Sequence, residues 1–372
     1  MQAWTAFRDR LANLPLRNQV NRFSKRARNW LISLIPTAPI EQVSSLLYSA
    51  EFGDRWANAE FAPANDSDAT RKKQSEETPR SAFVRKYEGK LRVDPASTHI
   101  FEGRRMVRGS PDGLTREREP AWVTQIHFPS SQADEVLSLR GSFEYNYFHF
   151  LYDTMRAYLL AKDHIGEHVP ILVGGELDRQ PFFRAARDRG VFGARQVLVQ
   201  PEDRVFAARK IYTARAGHPR KADLLQLCDH FDSPPASSGE GRKIYLGRGK
   251  AAQNKRSVRN EDDVVAALAR RGFERVDAQT LDLSDQMKLF AECACVVAPH
   301  GAGLTNILWR RGRPLRVIEL INANYYSIDF LYLCRALGYD HTFIQNQGIV
   351  GKPLTSSSVV DIEAVEAALD RA

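Results

Sequence analysis

At 372 residues, with 43% hydrophobic and 26% charged side chains, the chain has the make-up of a soluble globular protein and the length for two domains, three at the outside. The formal net charge of +8 suggests nucleic acid only until it is mapped. Before residue 41, seven cations (Arg8, Arg10, Arg17, Arg22, Lys25, Arg26, Arg28) face one acid, Asp9, which is +6 of the +8; the nearly neutral remainder excludes a nucleic-acid partner.

That basic lead, residues 1–40, interleaves Trp4, Phe7, Leu11, Phe23, Trp30, Leu31, Leu34 and Ile35 with its cations. It lacks the long apolar run of a secretory signal or a spanning helix. Two readings stay open: an amphipathic segment on an anionic membrane surface, or a helix packed on the body. Residues 64–80 ("ANDSDATRKKQSEETPR") are polar and without apolar periodicity, hence a linker or mobile loop. From about residue 83 strand and helix signals alternate: strand "AWVTQIHF", helix "YFHFLYDTMRAYLLA", strand "VPILVG", helix "QPFFRAARDRGV" stopping near Gly190, strand "QVLVQ".

"DSPPASSGEGR", Asp232 to Arg242, is dense in Pro, Ser and Gly and is the best interdomain break. The alternation then restarts with strand "KIYLG" and helix "NEDDVVAALARRG", the latter capped by Asn260 and stopped by Gly272. Strand "FERV", helix "SDQMKLFAEC", strand "CVVAP", helix "GLTNILW", strand "LRVIELI" and helix "SIDFLYLCRALG" complete a Rossmann-like unit. "VVDIEAVEAALDRA" reads as a terminal amphipathic helix. The boundaries are therefore 1–82 for the lead and linker, 83–232 for a first α/β domain, 233–345 for a second, and 346–372 for the tail. Cys228, Cys293, Cys295 and Cys334 lack metal-like spacing and read as reduced core thiols of a cytoplasmic protein.

Ligands of open α/β sheets sit beyond the carboxyl ends of the strands, and three segments of the second domain arrive there. After "KIYL" comes a loop with Arg248, Lys250, Lys255, Arg256 and Arg259, suited to phosphate by its guanidinium forks, or simply solvated. After "CVVAP" come His300, Gly301, Ala302 and Gly303, a strand-to-helix turn whose free N–H groups suit an anion, or merely a tight connection. Glu319 ends an apolar strand where a carboxylate needs a partner, and the vicinal hydroxyls of a ribose would serve. Together they describe a nucleotide site, while the missing G-x-G-x-x-G argues against a nicotinamide enzyme. Acid pairs at Asp66 with Asp68 and at Asp282 with Asp285 imitate a metal-binding D-x-D but read as solvated or capping residues.

In the first domain, Phe148, Leu151, Met155 and Leu159 form the buried stripe of a helix, and His149 and Asp153 share another face. One reading makes Asp153 the partner of Arg156 in an i,i+3 ion pair. The other makes Asp153 or His149 the general base for an acceptor hydroxyl.

The segments "NYFHFLYD", "IYLGRGK…KRSVRNED", "FAECACVVAPHGAGLTNILW" and "VIEL", in this order over about residues 141–345, resemble those of the family 61 glycosyltransferases. The resemblance implies a GT-B-like enzyme: two Rossmann-like α/β domains facing across a cleft, inversion at the sugar, no cofactor and no metal. It implies a nucleoside diphosphate sugar donor held by the second domain; a uridine nucleotide and a glycan acceptor in surface or capsular polysaccharide synthesis are the expectation set beside it. Carried over, Arg248 and Arg259 would hold the diphosphate, His300 to Gly303 would line the donor pocket and Glu319 would contact the ribose. Gly247 stands where many members have Ser before the arginine, which bears on donor identity. The resemblance does not reach the lead; the cysteines point to a cytoplasmic location, and the charge and aromatics of residues 1–40 make them the candidate peripheral contact at the inner membrane face. The competing functions are a sulfotransferase with a phosphoadenosine donor and an inactive glycan-binding relative.

Overall fold

A computed structural model describes residues 37–50, 81–107, 131–141, 143–237, 241–248, 257–322, 327–348 and 357–371. The lead up to residue 36, the 64–80 stretch with Asp66 and Asp68, the strand expected at 121–128, and Lys250, Lys255 and Arg256 lie outside the described residues.

The chain is an α/β protein with two sheets. The first contains β1 (Thr37–Ala38), β2 (Ser44–Ala50), β3 (Ala82–Val93), β4 (Ile100–Glu102), β5 (Arg105–Val107), β6 (Ser131–Ser138), β7 (Ile171–Gly174), β8 (Val197–Gln200) and β9 (Phe206–Arg215). Its order is β1-β5-β4-β3-β9-β6-β7-β8, with β2 paired to β3. From β9 to β8 neighbours are parallel, while β3 runs antiparallel to β9, so the sheet is mixed. Parallel neighbours require crossovers. Helix α1 leaves β6 for β7: it is α-helical over Tyr147–His149, π-helical over Phe150–Met155 and α-helical again over Arg156–Lys162. Its buried face carries Phe148, Leu151, Met155 and Leu159, the expected stripe. Helix α2 (Pro181–Asp188) joins β7 to β8, with Pro181 at its start and left-handed Gly190 just after it.

Helix α3 (Lys221–His230) follows β9 and precedes the second sheet. That sheet holds β10 (Arg242–Leu246), β11 (Glu274–Val276), β12 (Cys293–Pro299), β13 (Arg316–Asn322), β14 (Asp340–Gly348) and β15 (Ser358–Val359). The order is β11-β10-β12-β13-β14-β15, parallel except for the last pair. In chain order the parallel strands lie 2-1-3-4-5, so the winding reverses between β10 and β12, a topological switch point. The connecting helices are α4 (Glu261–Ala269), α5 (Leu283–Ala291) and α6 (Asp329–Leu337), with α7 (Ile362–Asp370) at the end. Gly272 and Gly338, both left-handed, follow α4 and α6 closely.

Two local expectations are corrected. Residues Ala302–Arg310 form a 3₁₀ helix, not an α-helix. Asn260 does not cap α4 with its side chain: Nδ2 donates to the Val360 carbonyl and Oδ1 accepts from the Val360 N–H, each at 2.9 Å. The amide clamps the approach to α7 instead. Asp282, by contrast, caps α5 by accepting from the Asp285 N–H at 2.8 Å.

A single apolar core joins the sheets. Leu137, Phe150 and Met155 from the first half lie in one cluster with Val296, Trp309 and Phe330 from the second. Phe231 and Trp309 meet at 5.6 Å across it. A second core, with Val297, Ile318 and Val365, covers the opposite face of the second sheet under α4 and α7. All four cysteines are free and buried, and burial pushes the Cys295 thiol up to about 11.

Candidate active site

The strands flanking the switch point deliver the cation and the turn. Arg248 stands just past β10, and His300 and Gly301 just past β12. The guanidinium Nη2 of Arg248 donates to the His300 carbonyl, bridging the reversal of winding. Gly301 has extended backbone (φ 173°), so its glycine is not needed for conformation. It is needed for approach: a Cβ there would meet the Arg248 guanidinium, with Cζ at 3.1 Å. Gly303 serves packing, since a Cβ would come within 3.3 Å of Leu246 Cδ2 on β10. The turn is held by the His300 N–H donating to the Leu320 carbonyl at 3.0 Å and the Leu304 N–H donating to the Gly301 carbonyl at 2.9 Å. Ala302 opens the 3₁₀ helix and packs on the shared core. Short packing residues at a helix start allow a ligand to approach the backbone amides.

Glu319 lies on β13 and is 0% exposed. His300 Nδ1 is 2.5 Å from its Oε1, and His341 Nε2, from β14, is 2.9 Å from its Oε2. Burial pushes the Glu319 carboxyl up, but the two imidazoles, by hydrogen bond and charge, outweigh it and hold the group below its ordinary value. Both oxygens face histidines inside the protein, so the expected ribose contact gives way to a different role. Glu319 fixes the ring of His300. The carboxylate oxygen at Nδ1 sets the orientation of the imidazole and turns Nε2 away from it.

On α1, His149 Nδ1 is 2.7 Å from Asp153 Oδ2, and both side chains are partly open to solvent. The imidazole sits against the Phe143 ring at 5.3 Å and the Phe148 ring at 5.2 Å. Asp153 lies in the π-helical turn, a widening often found at functional sites. The alternative pairing with Arg156 does not form. That guanidinium is buried and donates to the carbonyls of Tyr152 (3.1 Å), Ala216 (3.4 Å) and Gly217 (3.2 Å), with Asp223 at 4.0 Å. Arg156 ties α1 to the carboxyl end of β9, leaving Asp153 to His149.

Ring contacts connect the dyad to the turn. Phe148 meets Phe330 edge-on at 5.3 Å, and Phe330 meets His300 in the same way at 5.3 Å. The structure thus gathers Arg248, His300, Gly301, Ala302, Gly303 and Glu319 at the switch point and links them to His149 and Asp153. Arg259 is exposed, and its backbone N–H donates to the Ser358 carbonyl at 2.9 Å. His341 and Asn306 escaped the sequence reading. Asn306 did carry a signal, since an amide inside the apolar run "GLTNILW" must find buried partners. Among the described residues no group of three His, Cys, Asp or Glu is arranged to hold a metal ion, and no helix is long and apolar enough to cross a membrane.

No curated protein matches the chain. The family model described as Glycosyltransferase 61 matches residues 131–317, half of the chain. That range runs from β6 through α1, β10, β12 and the turn into β13, stopping short of Glu319 and His341. The match covers both the dyad and the switch-point turn, and the chain belongs to glycosyltransferase family 61 and is a glycosyltransferase.

Proposed function

We propose that the chain transfers a sugar, with inversion, from a nucleoside diphosphate sugar to a glycan hydroxyl. The observation that carries this reading is the contact of Arg248 with the His300 carbonyl across the switch point, which sets a cation and a bare-backbone turn on one crevice. In this reading the diphosphate lies against Arg248 and the N–H groups of the turn. The acceptor oxygen attacks the anomeric carbon as the bond to the diphosphate breaks, and the charge left on the phosphate is met by the arginine and the amides. The hydroxyl proton passes to the dyad on α1. With Asp153 Oδ2 accepting from Nδ1–H, His149 Nε2 is the base and Asp153 orients it. Glu319 holds His300 beside the leaving group.

The same proposal includes a GT-B arrangement with domains 83–232 and 233–345, a uridine donor, action without metal or cofactor, and a cytoplasmic place in surface polysaccharide synthesis. The capping role of Asp282 supports the metal-free reading, since that carboxylate is engaged in the fold. Family membership favours glycosyl over sulfuryl transfer. The test is thermal unfolding with a panel of nucleoside diphosphates. Uridine diphosphate at about 100 times its Kd should stabilise the chain by about 2.7 kcal/mol, and Arg248→Ala should lose most of that shift while melting normally without ligand. A shift retained in Arg248→Ala would place the diphosphate elsewhere; no shift with any nucleotide would favour the inactive glycan-binding relative.

A further inference from the structure

Asn306 is 0% exposed and sits where the two halves meet. A carboxamide has two N–H donors and two acceptor lone pairs. Its Nδ2 donates to the Gly303 carbonyl at 3.0 Å and to Gln286 Oε1 at 2.8 Å. Its Oδ1 accepts from the Tyr147 hydroxyl at 2.8 Å and from Trp309 Nε1 at 2.9 Å. All four valences are used. Gly303 belongs to the switch-point turn, and Tyr147 is the first residue of α1, two before His149. One side chain therefore spans from the turn to the helix bearing the dyad.

The surroundings make that span stiff. Burial pushes the Tyr147 hydroxyl far above its ordinary value, so it stays a neutral donor. Trp309 packs beside Phe231, and Tyr147 lies against Phe182 at 5.2 Å, which keeps water from competing for these bonds. In such a low-dielectric setting a satisfied polar node is strong, and displacing one partner strands the others. The Phe148–Phe330–His300 ring contacts run alongside as a second path between the same elements.

We propose that Asn306 is a positioning residue that couples the switch-point turn to α1, so that a diphosphate seated on the turn sets the placement of the His149–Asp153 dyad. The inference rests on the reading of the turn as the donor site. Coupling requires a physical element biased by both sites, and here it is the Gly303–Asn306–Tyr147 hydrogen-bond chain. The shared apolar core favours this over a hinge that opens and shuts the halves.

Amide hydrogen exchange of the full chain, with and without uridine diphosphate, tests it without knowing the sugar or acceptor. In the unmodified protein the nucleotide should protect both residues 299–306 and residues 147–156. Tyr147→Phe keeps the ring but removes the bridging hydroxyl, so protection of the turn should remain and protection of α1 should be lost. Asn306→Asp keeps an acceptor for Tyr147 and Trp309 but removes the donor to Gly303, and should also lose the α1 response. The isosteric Tyr147→Phe decides the matter if the buried carboxylate of the second variant prevents folding. Nucleotide protection of α1 persisting in Tyr147→Phe would overturn the role of Asn306 and leave the ring contacts to carry the coupling, and a response confined to the turn in the unmodified chain would overturn the coupling itself. Absence of any response at the turn would instead overturn the donor-site reading on which the coupling rests.

Discussion

Gly301→Ala separates binding chemistry from folding at a single atom. The backbone there is extended (φ 173°, ψ 166°), a conformation alanine adopts without strain. The three atoms nearest an added Cβ all belong to the Arg248 guanidinium, including Cζ at 3.1 Å and Nε at 3.3 Å. Relief therefore requires moving the end of one flexible side chain, and the loss of folding stability should not exceed the roughly 1.5–3 kcal/mol of the Arg248–His300 bond it breaks. The displaced guanidinium would leave the His300 carbonyl and the crevice. A hydrogen bond from a charged group is worth about 1.5–3 kcal/mol, so the Kd for uridine diphosphate should rise about 10- to 150-fold. Isothermal titration gives the affinity and thermal unfolding without ligand gives the stability. Unchanged affinity in Gly301→Ala would refute the assignment of Arg248 to the diphosphate. A large drop in melting temperature would show that the turn, not the arginine, sets the need for glycine.

Glu319→Gln should cost about 3–5 kcal/mol at neutral pH, the range for removing one partner of a buried charge cluster. Because the Glu319 carboxyl is held below its ordinary value of 4.5, its contribution is present above that pH and fades as pH falls through the lower folded-state value. Denaturant titrations should show the gap between wild type and Glu319→Gln closing below pH 4.5, and a gap constant with pH would contradict the ionised cluster. Asp153→Asn and His149→Ala should each slow transfer, the latter by about 10² to 10⁴, with nucleotide affinity kept; turnover near normal in both would remove α1 from the chemistry. Arg156→Ala should lower the melting temperature yet spare nucleotide affinity, because its guanidinium serves carbonyls of Tyr152, Ala216 and Gly217. Deleting residues 1–40 should weaken binding to anionic vesicles at low salt, and equal binding by both forms would reduce the lead to packing.

Parallel strands β10 to β13 of the second sheet were legible because strands such as β12 and β13, covered on both faces, read as apolar runs beside Gly or Pro. Strands β3 and β9 were not. Arg85 and Lys86 interrupt the first, and Arg209 and Lys210 the second, and their antiparallel pairing hides in alternation rather than in a run. Strand β14, "DHTFIQNQG", is too polar to announce itself, though it carries the second imidazole on Glu319. Residue types at the site were readable, since Arg248 and His300 follow strands and Glu319 is a lone acid in an apolar run, although it lies within β13 and not at its end as expected. Their mutual contacts were not, because neighbours on parallel strands are brought together by register. Asn260 shows the same limit: its local capping role yielded to Val360, a hundred residues away, which offers both a donor and an acceptor. The π-helical turn at Asp153 and the 3₁₀ helix after Gly301 likewise depend on tertiary packing that no periodicity encodes.

The central claim is that the donor diphosphate occupies the crevice between β10 and β12. A photoreactive uridine diphosphate analogue, cross-linked to the full chain and mapped by peptide mass spectrometry, tests it most directly. The account predicts label in the peptides holding Leu246 to Arg248 and Pro299 to Gly303, competed away by unmodified uridine diphosphate. Competable label confined to the strands and loops of the first sheet would contradict it.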